Sequence, residues 1–338
     1  MKTISRNMRQ AGVSAVEMLV SLVLGVIVVG GASTIYIASK TSYIEVEQNS
    51  LLTENSLFTE RFLSDAVRHV GFLGEVQAGR IEMDDDLSPV AGDCSGTAAA
   101  YAVDDYLVAA VADAAGNAFG CIADAVPGSH VLVVKSVVPQ PLSDGPRRSL
   151  DPDDRDGVID TPRGLVAGET YIMTNDMVGV LFDGADTPPT IGVGGEVPGG
   201  VAWVYRFEVL YIRSGGTPQL SRKTLRNIAG TTTLITEDLV LGVEDMRLRV
   251  GMDAEPGNEG NVDTYRDVSA IGGDWDLVQS MEISLLLRSP SDDKGYSNTK
   301  TYKMSGSDVT RNDHYRRVMI STSVSLRNPK LVIKGGAV

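Results

Sequence analysis

The sequence predicts an α+β fold in which one long N-terminal helix packs on a mainly antiparallel β-sheet head. Residues 18–37 carry no charge, the first proline is Pro89, and apolar and polar residues alternate with a period of two after about residue 75. Because proline breaks helices and a period of two is typical of strands, we expect the helix before residue 75 and the strands after it.

The composition excludes several classes of function. With 338 residues, 43% of them hydrophobic, the chain can bury a core in one large or two modest folded units. Its 30 Lys+Arg against 44 Asp+Glu give a net charge of -14, which argues against nucleic-acid binding and against docking on anionic lipid. Three His and two Cys make a multi-histidine or cysteine metal centre improbable.

The uncharged run of residues 18–37 is long enough for a helix to cross a bilayer. A secretory signal peptide or an ordinary membrane anchor explains this run and the basic residues Lys2, Arg6 and Arg9 before it. Neither explains Glu17, because a carboxylate costs roughly 2.5–3.5 kcal/mol at the centre of a membrane helix.

Residues 12–19, GVSAVEML, resemble the class III signal of type IV pilins and pseudopilins. The resemblance implies that a membrane prepilin peptidase cuts between Gly12 and Val13 on the cytoplasmic side and N-methylates Val13. It also implies that the apolar helix stays in the mature protein. Val13 departs from the family pattern, which usually has phenylalanine at this position.

The same resemblance gives Glu17 a role in subunit assembly, since an acid is typical of the fifth position after the cut. Glu17 then lies about one helical turn from the new α-amino group of Val13. Inside a low-dielectric helix bundle, its carboxylate can offset the amino charge of a neighbouring subunit. We therefore expect Glu17 to set assembly and register.

The helical periodicity continues past the membrane-length run and predicts one buried side. Ile44, Leu51, Phe58 and Phe62 form the predicted stripe, and the residues flanking it are Leu52, Leu63, Val67 and Val70. The helix should end near Gly71 or Gly74. The predicted segments are a leader (1–12), a membrane-spanning or filament-core helix (13–38), an amphipathic helix (39–74) and a β-rich head (75–338).

Alternating residues predict several strands in the head, with the amphipathic helix covering one face of their sheet. The predicted strands are residues 131–138, 201–211, 246–250, 281–287 and 318–326. Long loops are expected at 139–164, 183–200 and 251–276.

A resemblance to the PilW-type minor pilins of type IV pili extends from the leader to the C-terminal end and is weakest between about 75 and 200. The segments that carry it are residues 51–58, 70–74, 241–246, 283–289 and 325–328. It implies a low-abundance pilus component that starts polymerisation in a tip complex. The implied partners are other minor pilins, the major pilin and, in many systems, a PilY-type adhesin.

The resemblance also implies a single-pass inner-membrane protein with its C-terminal head in the periplasm, later built into the pilus tip. Two alternatives stay open. One is a minor pseudopilin of a type II secretion system, and the other is a membrane-anchored adhesin or ligand-binding head that never polymerises. Glu17 argues against the latter, because a plain anchor gains nothing from that acid.

Cys94 and Cys121 enclose 26 residues and, in the oxidising periplasm, are expected to form a disulfide. Closing such a loop stabilises the fold by about 3 kcal/mol on the chain-entropy model. The alternative is a catalytic thiol.

The sequence predicts no enzymatic activity and no cofactor. It contains no phosphate-binding GxxxxGK[ST] motif, no GxSxG elbow and no HExxH spacing. One acidic segment resembles a DxDxDGxxD calcium loop, with Asp154, Asp156 and Asp160 as ligands. Pro152 and Arg163 replace two further ligands, so the alternative to a calcium site is a solvated acidic turn.

Overall fold

The computed structural model describes residues 12–142, 165–253 and 261–328. They form one helix of 54 residues, α1 (Ala15–Arg68), fourteen β-strands and a few short 3-10 turns. The chain divides into two compact units, residues 1–50 and 51–338, with the division inside α1. The predicted α+β class, with a long N-terminal helix and a β-rich head, is confirmed.

The end of α1 is set by a glycine with a left-handed backbone. Gly71 has φ +70°, which ends the helical path, and its N–H donates to the carbonyl of Lys135 at 3.0 Å. The helix therefore ends at Arg68, close to the predicted end.

Within the second unit, the buried side of α1 differs from the predicted one. Leu51 and Phe58, which were expected on the buried stripe, are 40% and 52% exposed. The buried positions are instead the following: Leu52, Ser56, Thr59, Leu63 and Val67.

Two hydroxyl residues explain why the apolar pattern was misleading. The Ser56 hydroxyl donates to the Thr53 carbonyl at 2.8 Å, and the Thr59 hydroxyl donates to the Asn55 carbonyl at 2.7 Å. Because the helix itself satisfies both hydroxyls, they can face the core at no net hydrogen-bond cost. The buried row is therefore partly polar. From the apolar pattern alone, its members Leu52, Leu63 and Val67 were predicted only to flank the buried stripe.

The larger sheet has eight strands. They are β1 (Ile81–Met83), β2 (Leu107–Val111), β3 (His130–Val137), β4 (Thr170–Thr174), β5 (Gly179–Asp183), β6 (Val201–Arg213), β7 (Gln219–Ile228) and β8 (Thr231–Leu241). The strand order is β1-β5-β4-β6-β3-β2, with β7 beside β6 and β8 beside β7. All described pairs in this sheet are antiparallel except β1 with β5.

Strand β6 is the centre of this sheet. It pairs with β3 along one edge, and along the other edge with β4 near its start and β7 near its end. The odd-numbered residues from 203 to 211 are buried, as the alternation predicted. Leu210 and Ile212 on the opposite face are buried too, because that face also carries a core.

The second sheet lies in the C-terminal part of the described chain. Its strands are β9 (Val243–Met252), β10 (Thr264–Asp267), β11 (Val278–Arg288) and β14 (Arg317–Ser325). Strands β12 (Thr301–Met304) and β13 (Ser307–Thr310) form a small separate hairpin. The order is β10-β9-β11-β14, and every neighbouring pair is antiparallel. The prediction of a continuous loop over 251–276 is wrong at β10, whose short polar sequence gives no alternation signal.

Two hydrophobic cores cover the two faces of the larger sheet. On one face, Leu63 and Val67 of α1 pack with residues of β3, β6, β9, β11 and β14. On the other face, Val133 of β3 and Phe207 of β6 pack with the segment around Cys94. The helix therefore contributes to a core shared by both sheets, rather than covering one face of a single sheet.

Candidate functional site

The predicted processing and assembly residues lie at the start of α1. Gly12 and Val13 precede the helix, and Glu17 is in its first turn. The helix is continuous here, since Ser14 accepts a backbone hydrogen bond from Met18 at 3.0 Å. Cleavage after Gly12, methylation of Val13 and the assembly role of Glu17 stay predictions.

The start of α1 presents an apolar surface on all sides. Every Val, Leu, Ile and Met side chain from Val13 to Ile37 is more than half exposed. By length and composition α1 can cross a membrane, because its most apolar 18-residue window has a mean hydropathy of 2.3 and no buried residue. Such a surface needs hydrocarbon or other apolar helices around it.

The predicted disulfide between Cys94 and Cys121 is present. Beside it, the Asp93 carboxylate accepts backbone hydrogen bonds from Cys94 at 2.7 Å and from Ala100 at 2.9 Å. The Ser95 hydroxyl donates to the Phe119 carbonyl at 3.0 Å. These contacts give the disulfide-bonded segment a fixed backbone.

A buried lysine fixes this segment to the larger sheet. The Lys135 ammonium nitrogen donates to the carbonyls of Thr97 and Ala102, at 2.8 and 2.6 Å. Burial lowers the pKa of Lys135 to about 8. The Tyr205 hydroxyl adds a third anchor at the Ala100 carbonyl, 2.6 Å away. The sequence reading missed Lys135, although a lysine inside the apolar strand HVLVVKSV was a usable signal.

The structure brings together the chain segments on which the PilW resemblance rested. Gly242 in segment 241–246 accepts a hydrogen bond from the backbone N–H of Arg288 in segment 283–289, at 2.8 Å. Gly242 has φ +88°, and a Cβ there would lie 2.6 Å from the Arg288 carbonyl oxygen. Only glycine fits this position without strain.

The segments 325–328 and 70–74 meet in the same way. The Asn328 side-chain amide donates to the Val70 carbonyl at 2.9 Å, just beyond the end of α1. Leu326 is fully buried, and its N–H donates to the Gln279 carbonyl at 2.9 Å. Within the second unit, these segments therefore connect the helix end to the second sheet.

A charged cluster that the sequence did not reveal lies at the end of the second sheet. The Arg317 side chain is fully buried and bonds to the carboxylates of Glu244 and Asp313. The hydrogen bond from Arg317 lowers the pKa of Asp313 to about 2. Arg311 also contacts Glu244, at 3.1 Å. The cluster joins β9 to β14, and its charges pair with one another.

A family model described as Type IV Pilus-assembly protein W matches residues 209–328. Residues 209–328 match the PilW family. The match begins inside β6, ends three residues beyond β14 and includes the PilW-like segments 241–246, 283–289 and 325–328. The PilW resemblance read from the sequence is therefore confirmed over this stretch. No curated protein and no solved structure matches the chain significantly.

The predicted calcium ligands Asp154, Asp156 and Asp160 lie outside the described residues. Among residues 12–142, 165–253 and 261–328, no group of three or more His, Cys, Asp or Glu side chains is placed to hold a metal ion. Calcium binding by the acidic segment stays a prediction.

Proposed function

We propose that this protein is a non-enzymatic PilW-type minor pilin that takes part in starting type IV pilus assembly. The PilW match implies a role in type IV pilus assembly. The observation that carries the finer proposal is the combination of that match with an exposed apolar helix that has Glu17 in its first turn. The class III signal alone fits a secretion pseudopilin equally well, and the PilW match favours the pilus.

In this proposal the peptidase cuts after Gly12 and N-methylates Val13, whose α-amino group stays positively charged. The apolar helix holds the protein in the inner membrane, with the head in the periplasm, until the subunit enters a priming complex. Glu17 then offsets the amino charge of a neighbouring subunit, which is costly to leave unpaired among apolar helices. The neighbours are other minor pilins, the major pilin and a PilY-type adhesin at the tip.

The test compares Glu17→Ala with Glu47→Ala, which removes an exposed glutamate of the same helix outside the apolar run. We expect both variants to reach the membrane in equal amounts. Pili per cell, counted by electron microscopy, should fall at least tenfold with Glu17→Ala only, because one uncompensated charge costs several kcal/mol and about 1.4 kcal/mol is already a factor of ten.

An intact mass of the mature chain provides the second measurement. A chain that starts at N-methylated Val13 supports the proposal. A mature chain that keeps Met1 or starts after Ala38 would overturn it, as would normal piliation with Glu17→Ala. If Glu17→Ala leaves pili normal but impairs protein secretion, the protein is instead a pseudopilin of a type II secretion system.

A further inference from the structure

Strand β14 leaves one long edge of the second sheet open. It pairs with β11 over nine residues, and no other described strand pairs with it. The bonds from Ser289 N–H to the Arg316 carbonyl and from Leu326 N–H to the Gln279 carbonyl fix the parity of this ladder. Because residues two apart face the same way in a strand, the even-numbered backbone groups of β14 face β11.

The odd-numbered backbone groups of β14 therefore point away from the sheet. They belong to Met319, Ser321 and Ser323 in the centre of the strand. In the part of the chain that the structure describes, none of these N–H or carbonyl groups has a backbone hydrogen-bond partner. They form a row of free donors and acceptors spaced two residues apart.

Among the described residues, the central part of this edge also lacks the features by which proteins protect an exposed strand, such as charges, prolines, bulges or a covering loop. Residues 318–324 contain no charge and no proline, and the pairing with β11 has no bulge. By contrast, the outer strand β10 has only four residues.

The outer strand β8 shows what a protected edge looks like in the same molecule. Ala91 covers part of it, accepting from the Leu234 N–H at 3.2 Å and donating to the Thr232 carbonyl at 2.8 Å. Further along β8, Glu237 and Asp238 carry charges that are paired with arginines. The head therefore has a protected edge at β8 and an unprotected edge at β14.

The two faces of β14 specify the side chains of a strand that could join it. Val318 and Ile320 are half-buried at the rim of the main core, so an added strand needs apolar residues on that face. Ser321 and Ser323 are exposed on the opposite face, where small or polar residues fit.

Charge decides between a different protein and a second copy of this chain. Residues 316–327 contain the arginines 316, 317 and 327 and no acidic residue. Arg327 is exposed, and no ion pair involves it among the described residues. The carboxylates near the start of β14 are already in ion pairs, Asp293 with Arg316 and both Glu244 and Asp313 with Arg317. A second copy joined antiparallel along β14 would therefore offer Arg327 no unpaired carboxylate from these residues, whereas a strand with a carboxylate at its end would pair with it.

We propose that the outer edge of β14 receives a β-strand from another protein of the pilus assembly. That strand has apolar residues at alternate positions and a carboxylate near Arg327, and its backbone bonds to Met319, Ser321 and Ser323. The inference rests on the proposed function and deepens it, since it assigns a surface through which the head joins its neighbours. Strand addition of this kind draws its affinity from main-chain hydrogen bonds.

Amide hydrogen exchange on the full-length protein tests the proposal directly. In detergent micelles, the N–H groups of residues 320, 322 and 324 should exchange slowly, and those of residues 319, 321 and 323 should exchange fast. In the chemically cross-linked assembly recovered from piliated cells, the odd-numbered amides should slow by at least tenfold.

A matched pair of variants provides the functional test. Ser323→Pro removes an outward N–H that makes no bond within the sheet, so the protein should melt at the temperature of the Ser323→Thr protein. We expect Ser323→Pro to reduce pili per cell at least tenfold and Ser323→Thr to leave them unchanged. If Ser323→Pro does not fold, Ser323→Lys replaces it and should reduce pili per cell in the same way. The hydrogen-exchange test needs neither variant.

The outcomes separate this inference from the proposed function. If deletion of the whole chain leaves piliation unchanged, the proposed function is wrong. If deletion abolishes pili but Ser323→Pro supports them, only the strand-addition proposal is wrong. Odd-numbered amides that still exchange fast in the assembly contradict the proposal, and so does protection already present in the isolated protein, which would point to a second copy or to this chain itself.

Discussion

Arg317 holds the end of the second sheet together through charge rather than packing. Its side chain has no solvent exposure, and its partners Glu244 and Asp313 are 11% and 32% exposed. A buried guanidinium is stable only when carboxylates compensate it, and Glu244 in turn is paired with Arg317 and Arg311. The pair therefore ties β9 to β14, two strands that do not pair with each other.

Replacement of Arg317 should destabilise the protein strongly. Arg317→Met keeps much of the side-chain volume but leaves Glu244 without its main partner, so the free energy of unfolding should fall by about 3 kcal/mol. The measurement is urea unfolding of the full-length protein in micelles, followed by tryptophan fluorescence.

Arg327→Met is the matched control, because Arg327 is exposed and should be neutral in this assay. The double variant Arg317→Met with Glu244→Gln should recover part of the loss, since it removes both buried charges. Equal midpoints for wild type and Arg317→Met would show that the ion pair contributes nothing.

Residues whose role follows from neighbours in sequence could be predicted, and those whose role follows from distant partners could not. The disulfide needed only the two cysteines, and the role predicted for Glu17, which stays a prediction, rests on an eight-residue motif. Arg317 and Glu244 are 73 positions apart, and His130 contacts the backbone of Leu248, 118 positions away. No local pattern encodes such pairs.

At the scale of single elements, the disulfide-bonded segment is stabilised twice. The bond between Cys94 and Cys121 closes the chain into a loop, and Lys135 and Tyr205 bind carbonyls inside that loop. Each anchor is a buried polar contact, so it depends on the loop keeping its position. The disulfide and the anchors therefore support one another.

Loss of the disulfide should lower stability without abolishing the fold. The free energy of unfolding of the variant with both Cys94→Ala and Cys121→Ala should be about 3 kcal/mol lower than that of the wild type. The reason is that the unfolded chain regains the conformational freedom that the closed loop removes. Urea unfolding with and without a reducing agent measures this. Reduction should shift the wild-type midpoint and leave that of the cysteine-free variant unchanged, and identical wild-type midpoints would contradict the prediction.

The elements that the sequence predicted well are those whose apolar residues recur at alternate positions. The strands over 246–250, 281–287 and 318–326 all appear in the second sheet, with the core face that their alternation indicated. Strands β7 and β8 were missed, because they form a half-exposed hairpin whose burial does not alternate. The buried face of α1 was misplaced because hydroxyl groups satisfied by the helix occupy part of it.

At the scale of the whole molecule, a histidine links the two sheets. His130 on β3 is buried, and its Nδ1 accepts the backbone N–H of Leu248 on β9 at 3.0 Å. An accepting Nδ1 requires the neutral imidazole. Burial, with a smaller contribution from Arg247, lowers the pKa of His130 to about 4.

This link should make the protein less stable in acid. The unfolded histidine binds a proton near pH 6.5 and the folded one only near pH 4, so stability falls as the pH drops between these values and changes no further below them. The loss attributable to His130 should reach about 3 kcal/mol. Urea unfolding at pH 7, 5.5 and 4.5 measures it.

His130→Asn provides a neutral acceptor in place of Nδ1 and should lose less stability across this range than the wild type. His314→Asn is the control, because His314 is exposed and should keep the wild-type profile. The prediction fails if His130→Asn and wild type show the same dependence on pH.

The central position of β6 also governs how the growing chain can fold. Strands β3 and β4 both need β6 as a neighbour, and β2 and β5 attach through them. Strands β3 and β4 can pair with β2 and β5 at once, but each keeps its other edge open until β6 (Val201–Arg213) is in place. The growing chain passes through a vulnerable stage in which its most apolar strands are open to proteases and to chaperones.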